Sequence, residues 1–164
     1  MTFTPRTWVV GETVSAAIMN QEIRDQINSM LDAWTSYTPA WTASTAPDVG
    51  NGTLTGRYLK IGRTVTASII LTCGSTTTYG SGAWNFSLPV AAASAAVPYL
   101  GSARMTSTDT WHGQASINSG ASTLQVTFPT SSTNTRSANA SQGTPATLAA
   151  THTIRATVTY QSAT

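Results

Sequence analysis

The chain contains very little cysteine and very little charge. Its one cysteine, Cys73, excludes an intrachain disulfide and argues against a cysteine-based metal site. Only 9% of the 164 residues are charged, so a net charge of +2 does not indicate a nucleic-acid-binding protein. Polarity comes instead from 31 Thr and 19 Ser residues. Because Thr is β-branched and fits a pleated, half-buried surface, this composition favours strands.

The few charges are unevenly divided along the chain. Residues 1–34 carry two Arg against four acids, a net charge of −2, and the remainder carries six Lys or Arg against two acids, a net charge of +4. A basic C-terminal region favours anionic cell-surface polymers as partners. Six cations scattered over a domain are also ordinary solubilising charge, which is the interpretation the sequence favours.

Long apolar runs are absent as well. Residues 1–6 contain no apolar stretch that could serve as a secretion signal. Residues 89–100, the most apolar later stretch, are interrupted by Ser94 and Pro98 and are too short to span a bilayer. We therefore expect synthesis in a cytoplasm and no membrane insertion.

Side chains for catalysis or metal binding are sparse. After residue 34 the only acids are Asp48 and Asp109, both in turn-like polar stretches, where a role in the turn is the plain explanation. The alternative is that the two carboxylates pair to form a glycosidase site. His112 and His152 are too few for a structural zinc site, and strand parity predicts that both face solvent. No glycine-rich phosphate loop precedes a helix. The sequence thus indicates a non-enzymatic protein without cofactor or metal.

One amphipathic segment, residues 13–34, precedes the Thr/Ser-rich region. Gly11 breaks the chain before it, and Thr13 or Ser15 can cap a helix. The segment has an apolar stripe at alternating spacings of four and three, a heptad rhythm formed by Ala16, Asn20, Ile23, Ile27, Met30 and Trp34. A helix this short must bury its stripe to be stable. It either folds back across the β-domain or, as we favour, associates with copies of itself, with Asn20 setting register in a homotrimer.

From residue 35 the pattern changes to period two. Alternation is strongest in four stretches, namely residues 64–71, 84–88, 124–128 and 154–160, with weaker strands near residues 37–43, 56–61, 98–106 and 111–117. Short strands separated by Gly, Pro, Asn and Ser predict a mainly β fold, an antiparallel, jelly-roll-like β-sandwich. We therefore predict two units: an anchoring and oligomerisation segment, residues 1–34, and a β-head, residues 35–164.

Three connections are long and polar: residues 44–52, 75–83 and 130–145. Tyr79 lies in the second without an evident core partner, so we predict that it contacts a receptor glycan, together with Asn134 and Arg136 of the third. Trp41, Tyr58 and Trp111 are better explained by core packing.

Several short motifs resemble a known group of proteins. From Trp8 to Ile27 the chain carries a Trp and a Gly before a helix with Ala16-Ala17, then Asn20 and Ile23-Arg24-Asp25. This segment resembles the N-terminal element of many small virion proteins of tailed bacteriophages. Other motifs are similar to the β-region of phage tail-fibre, minor tail and head-fibre proteins: Tyr37-Thr38-Pro39-Ala40-Trp41, Gly56-Arg57-Tyr58, Ile61-Gly62-Arg63-Thr64-Val65 and Leu88-Pro89-Val90.

The resemblance covers residues 8–104 and implies a virion structural protein with no catalytic residues to transfer. We expect attachment to other virion proteins through the N-terminal region and display of the β-head for adsorption to a host cell-surface glycan, with no nucleic-acid partner. The alternatives are a capsid head-fibre or decoration protein without a receptor, a stand-alone carbohydrate-binding module, and a depolymerase. A module needs no heptad helix, and a depolymerase normally has more acidic residues and a longer chain.

Overall fold

The computed structural model describes residues 7–31 and 33–163. Residues 1–6 of the predicted N-terminal lead, Asp32 and Thr164 lie outside the described residues. The side chains of Gln26 and Ser29 do so as well.

The N-terminal helix occupies residues 16–31, inside the predicted range of 13–34. It begins with α1 (Ala16–Met19), widens into a π-helical turn (Asn20–Arg24) and ends with α2 (Asp25–Leu31). Of the two predicted capping residues, Ser15 is the N-cap. Its Oγ accepts a hydrogen bond from the Ile18 N–H at 3.3 Å. The predicted end of the helix at Trp34 is wrong, because the chain becomes extended at Thr35 to pair with Tyr58 in the sheet.

Ten antiparallel strands follow. They are β1 (Thr35–Tyr37), β2 (Trp41–Thr42), β3 (Thr53–Ile61), β4 (Thr64–Thr72), β5 (Asn85–Ser87), β6 (Tyr99–Thr106), β7 (Thr110–Ile117), β8 (Thr123–Pro129), β9 (Ser137–Asn139) and β10 (Thr153–Gln161). Seven of the eight predicted strands are present. The eighth, predicted near residues 37–43, is wrong as one strand, because residues 38–40 separate two short strands, β1 and β2, which lie at opposite edges of the sheet. Strand β9 is an addition within the connection predicted at residues 130–145.

The strands form one curled, half-barrel sheet in the order β1-β3-β4-β10-β6-β7-β8-β5-β2, with β9 paired to β8. Its edge strands β1 and β2 are joined by residues 38–40, and both sides of this link bond to Ser87: the Tyr37 hydroxyl donates to the Ser87 carbonyl at 3.5 Å and the Ala40 N–H to Ser87 Oγ at 2.8 Å. The mainly β prediction is confirmed. Pairing is continuous along this path, so the structure shows one curled sheet and does not show two facing sheets.

The concave face of the sheet holds the core. In β4 the residues predicted to share one face, Val65, Ala67, Ile69 and Leu71, are all buried. The same alternation buries every second residue of β8 and β10. Cys73 is also buried, as expected for a small core residue. Period-two patterning thus assigned the inner and outer faces of the central strands correctly.

The strand registers place the long connections at one end of the sheet. β3 and β10 start there, β4 and β6 finish there, and the pairs Thr53–Thr72 and Thr153–Thr106 mark it. Residues 43–52, 73–84, 107–109 and 130–136 therefore all lie at what we call the loop end. The chain enters the sheet at Thr35, opposite Tyr58, and β1 runs toward the loop end.

Candidate functional site

The apolar stripe of the N-terminal helix is uncovered. Ile23, Ile27 and Met30 are 42%, 48% and 49% exposed, and Asn20, at the start of the π-helical turn, is exposed too. None of the helix side chains that the structure describes is buried. The head of the same chain therefore does not bury this stripe, which is a surface free for another molecule.

Tyr79 lies against the core, so the premise that it lacks a core partner is wrong. Its ring stacks on Trp84 at a centroid distance of 6.2 Å and meets Trp41 edge-on at 6.3 Å, while its carbonyl accepts the Trp84 Nε1–H at 2.9 Å. Burial, followed by a hydrogen bond with the Cys73 side chain, raises the pKa of Tyr79 to about 12. The aromatic cluster arises because the connection folds back over the end of the sheet, which strand parity does not reveal.

Asn134 and Arg136 lie in the turn between β8 and β9, and both are exposed. The Asn134 side chain is engaged locally, because its Oδ1 accepts the Arg136 N–H at 3.0 Å. The Arg136 carbonyl accepts the Thr130 N–H at 2.9 Å, which closes the turn. Among the described residues the Arg136 guanidinium makes no hydrogen bond or ion pair, so of the pair Arg136 alone offers its whole functional group to a ligand.

A groove on the convex, outer face of the sheet contains Trp34, which the sequence had assigned to the helix stripe. Trp34 is 37% exposed, and its carbonyl accepts a hydrogen bond from Arg57 Nη2 at 3.3 Å. The groove has a volume of about 450 Å³ and extends over β3, β4 and β10 to Arg155 and Thr157. Trp34 therefore contributes to the surface of the head.

A row of basic and polar residues crosses the outer face near the loop end. Ile70 of β4 lies opposite Arg155 of β10, Arg155 opposite Arg104 of β6, and Arg104 opposite His112 of β7. We call Arg155, Arg104 and His112 the basic row; all three are exposed. Within residues 7–31 and 33–163 neither guanidinium makes a hydrogen bond or an ion pair, and none of the ten strands contains an acidic residue.

A second groove opens where β7 and β8 separate. These strands pair only over residues 114–116 and 125–127, and beyond them the gap is lined by Trp111 and by Ser131, Ser132 and Thr135 of the β8–β9 turn. Its volume is about 580 Å³, and Asp109 and His112 complete its rim. A smaller groove of about 190 Å³, containing Arg104 and Arg155, shares His112 with it. Neighbouring grooves thus share lining residues: Arg155 and Thr157 line the first and the smallest, and His112 lines the smallest and the second.

The two carboxylates of the head lie apart, and of the two histidines that the structure describes, His112 alone shares a groove with one of them, Asp109. Asp48 Oδ1 accepts the Gly50 N–H at 2.9 Å, which confirms the predicted turn role. Asp109 lies in the β6–β7 turn, and the strands next to these two acids, β3 and β6, are separated in the sheet by β4 and β10. His152 Nδ1 accepts the Ala149 N–H at 3.0 Å. In the part of the chain that the structure describes, no three His, Cys, Asp or Glu side chains cluster in a way that could hold a metal ion.

Sequence reasoning missed the basic row because it treated the cations as scattered. Parity does place Arg57, Arg104 and Arg155 on the polar face of their strands. Their proximity depends on β10 inserting between β4 and β6, a long-range pairing that spacing along the chain does not show.

Comparisons with protein-family models, with curated proteins and with solved structures found no match to this chain. Among the described residues, no helix has the length and apolar character needed to cross a membrane.

Proposed function

We propose that this protein is a non-enzymatic structural protein of a tailed-phage virion, a fibre or minor tail protein. The N-terminal helix attaches it to other virion proteins, and the β-head is displayed for adsorption to the host. The observation that carries the proposal is the uncovered stripe of Ile23, Ile27 and Met30, because exposed apolar residues at regular helical spacing favour an interface. The motifs shared with phage structural proteins supply the biological context.

The direction in which the strands and loops of the β-head run supports a role in display. Five connections meet at the loop end, namely the four ranges given above and the connection that leads into β10, and β1 runs toward that end from the side of the N-terminal helix. Loops held by a rigid sheet are where proteins usually place contacts with partners. A protein anchored through its helix can thus present these loops outward.

A homotrimer is the assembly we propose, with the helices of three copies covering one another. Each buried Ile contributes roughly 1.5–3 kcal/mol, so three exposed positions per chain provide a substantial driving force. Three copies of a weak receptor site also gain avidity through effective concentration. As part of this proposal, the head is a jelly-roll-like sandwich whose two layers are opposite halves of the curled sheet.

A capsid head-fibre or decoration protein without a receptor is the second candidate. The packing of Tyr79 against Trp41 and Trp84 favours it, because the aromatic proposed for glycan contact already serves the core. Both candidates use the same anchor.

The test is incorporation into particles. A chain lacking residues 1–34 is expected to fold, because the core lies within the β-head, but to be missing from purified virions when it replaces the full chain in an infection. Circular dichroism checks its folding. Recovery of the folded, truncated chain in virions at the level of the full chain would contradict the anchor.

A further inference from the structure

The basic row contains a pair of like charges whose electrostatic repulsion disfavours the fold. Arg155 and Arg104 are directly opposite on neighbouring strands, and like charges in that position destabilise a sheet. None of the strands in the described part of the chain contains an acidic residue to offset them. An anion supplied from outside the chain relieves this repulsion.

The geometry suits a long, linear anion. Arg57 on β3 and His112 on β7 are four inter-strand spacings apart, about 19 Å along the sheet, with Arg155 and Arg104 between them. The three grooves, which share lining residues, follow one another in the same direction, from the gap at Trp111 to Trp34. A ligand with charges at intervals along an extended chain matches this arrangement better than a compact ion.

The donors on this face suit phosphate. Each guanidinium presents about five N–H donors in a planar fork that matches phosphate oxygens. Hydroxyl groups lie beside them: Ser68 Oγ and Thr157 Oγ1 are 2.6 Å apart between β4 and β10. The gap at the loop end adds the hydroxyls of Ser131, Ser132 and Thr135, which suit sugar or polyol hydroxyls.

We propose that this outer face binds an extended polymer of sugar or polyol units joined by phosphodiesters. The phosphates lie along Arg155 and Arg104, and a neutral unit lies in the groove at Trp111. This proposal rests on the proposed function only for the source of the polymer, which is the host surface. The chemistry of the outer face does not depend on the proposed function.

A single-stranded nucleic acid is the other polymer with phosphodiesters. Its bases stack on aromatic side chains. Trp34 and Trp111 line only the two ends of the grooves, and the outward positions of the six central strands between them, β3, β4, β10, β6, β7 and β8, contain no Phe, Tyr or Trp. The stretch along the two arginines therefore offers bases nothing to stack on and favours a polymer without bases.

The experiment measures binding of the full chain to synthetic poly(glycerol phosphate) immobilised on a sensor. Wild type is expected to bind with an affinity that falls as salt rises. Arg104→Gln and Arg155→Gln should each weaken binding about threefold, and the double variant about tenfold, because the two exposed charges contribute separately. Lys60→Gln is the control, since it removes one cation at the end of β3 far from the loop end, and it should bind like wild type.

Melting curves keep the test interpretable, because neither Gln variant is expected to lower the melting temperature. Absence of wild-type binding overturns the proposal, as does equal weakening by Lys60→Gln. Equally tight binding of polyglutamate overturns the choice of phosphate, and equally tight binding of oligothymidylate overturns the choice of a polymer without bases. A negative result here leaves virion incorporation of the truncated chain as a separate test of the proposed function.

Discussion

Three tyrosine hydroxyls lie in surroundings that disfavour the phenolate. Burial raises the pKa of Tyr160 to about 12, and its hydroxyl donates to the Val90 carbonyl at 2.7 Å. Burial raises the pKa of Tyr79 to about 12 as well, and the pKa of Tyr37 further. Each of these protons is held more tightly in the folded protein than in the unfolded chain, where the pKa is about 10.

Stability should therefore fall in alkali. Below pH 10 the tyrosines are neutral in both states and their contribution is fully present; as pH rises from 10 toward 12, the unfolded chain loses protons that the folded one keeps. Urea midpoints measured between pH 8 and 11.5 should be flat at first and then decline. Tyr160→Phe should cost about 1 kcal/mol at pH 8 and make the decline shallower. A midpoint that is constant to pH 11.5 would contradict the assignment.

Tyr79 should behave as a core residue. Tyr79→Ala removes a half-buried ring from contact with Trp41 and Trp84, so we expect a loss of about 2 kcal/mol, less than for a fully buried aromatic. Thermal unfolding gives the value. Thr78→Ala, an exposed neighbour in the same connection, is the control and should leave the melting temperature nearly unchanged. A Tyr79→Ala variant as stable as wild type would restore the surface role first predicted for this residue.

At the scale of elements, the central strands combine complementary and repulsive pairs. On the outer face, hydroxyls face each other between β4 and β10, at 2.9 Å for Thr66–Thr159 and 2.6 Å for Ser68–Thr157. Such pairs stabilise a sheet modestly. Two residues from Thr157 along β10, Arg155 faces Arg104 of β6. The strand pairing thus carries both a stabilising hydroxyl ladder and a charge repulsion.

Removing one arginine should stabilise the head. Arg155→Gln abolishes the like-charge pair while keeping a long polar side chain, and the free energy of unfolding should rise by about 0.3–0.5 kcal/mol at low salt. Urea denaturation at two salt concentrations checks this, because screening should shrink the gain. Arg136→Gln, in a turn without a facing arginine, should show no gain. A loss of stability in Arg155→Gln at low salt would show that the pair is not repulsive.

The N-terminal helix, also at the scale of elements, shows what the spacing of apolar residues fails to predict. Spacings of four and three predict an α-helix, and the segment is helical over residues 16–31. The π-helical turn at Asn20–Arg24 interrupts the α geometry on which a heptad stripe depends. Trp34, the last predicted member of the stripe, joins the surface of the sheet instead.

At the scale of the whole molecule, the molecular mass of the full chain in solution tests the proposed homotrimer. The full chain at micromolar concentration should have about three times the mass of one 17.1 kDa chain in light scattering, because the helix stripe is uncovered in a single copy. Ile27→Asp should shift it toward monomer, since a buried Ile is worth roughly 1.5–3 kcal/mol. Asn28→Asp, the adjacent exposed position, adds the same charge outside the stripe and should leave the mass unchanged. A monomeric wild type would contradict the trimer.

The sequence by itself determined the local structure. Thr-rich alternation in β4, β8 and β10 predicted which side chains are buried, because each strand residue points to the face opposite its neighbour's whatever the partner strand is. Ser15 as a helix cap and Asp48 as a turn residue followed from hydrogen bonds spanning three residues or fewer. These interactions are local, so the amino-acid order suffices to predict them.

Only the tertiary structure decided which strands are neighbours. Arg104 and Arg155 are 51 positions apart in the chain, and they face each other because β10 pairs with both β4 and β6. Tyr79 entered the aromatic cluster because its connection folds over Trp41 and Trp84. Pairing of distant strands is selected by how all the apolar faces close around one core, a property of the whole chain that no local pattern contains.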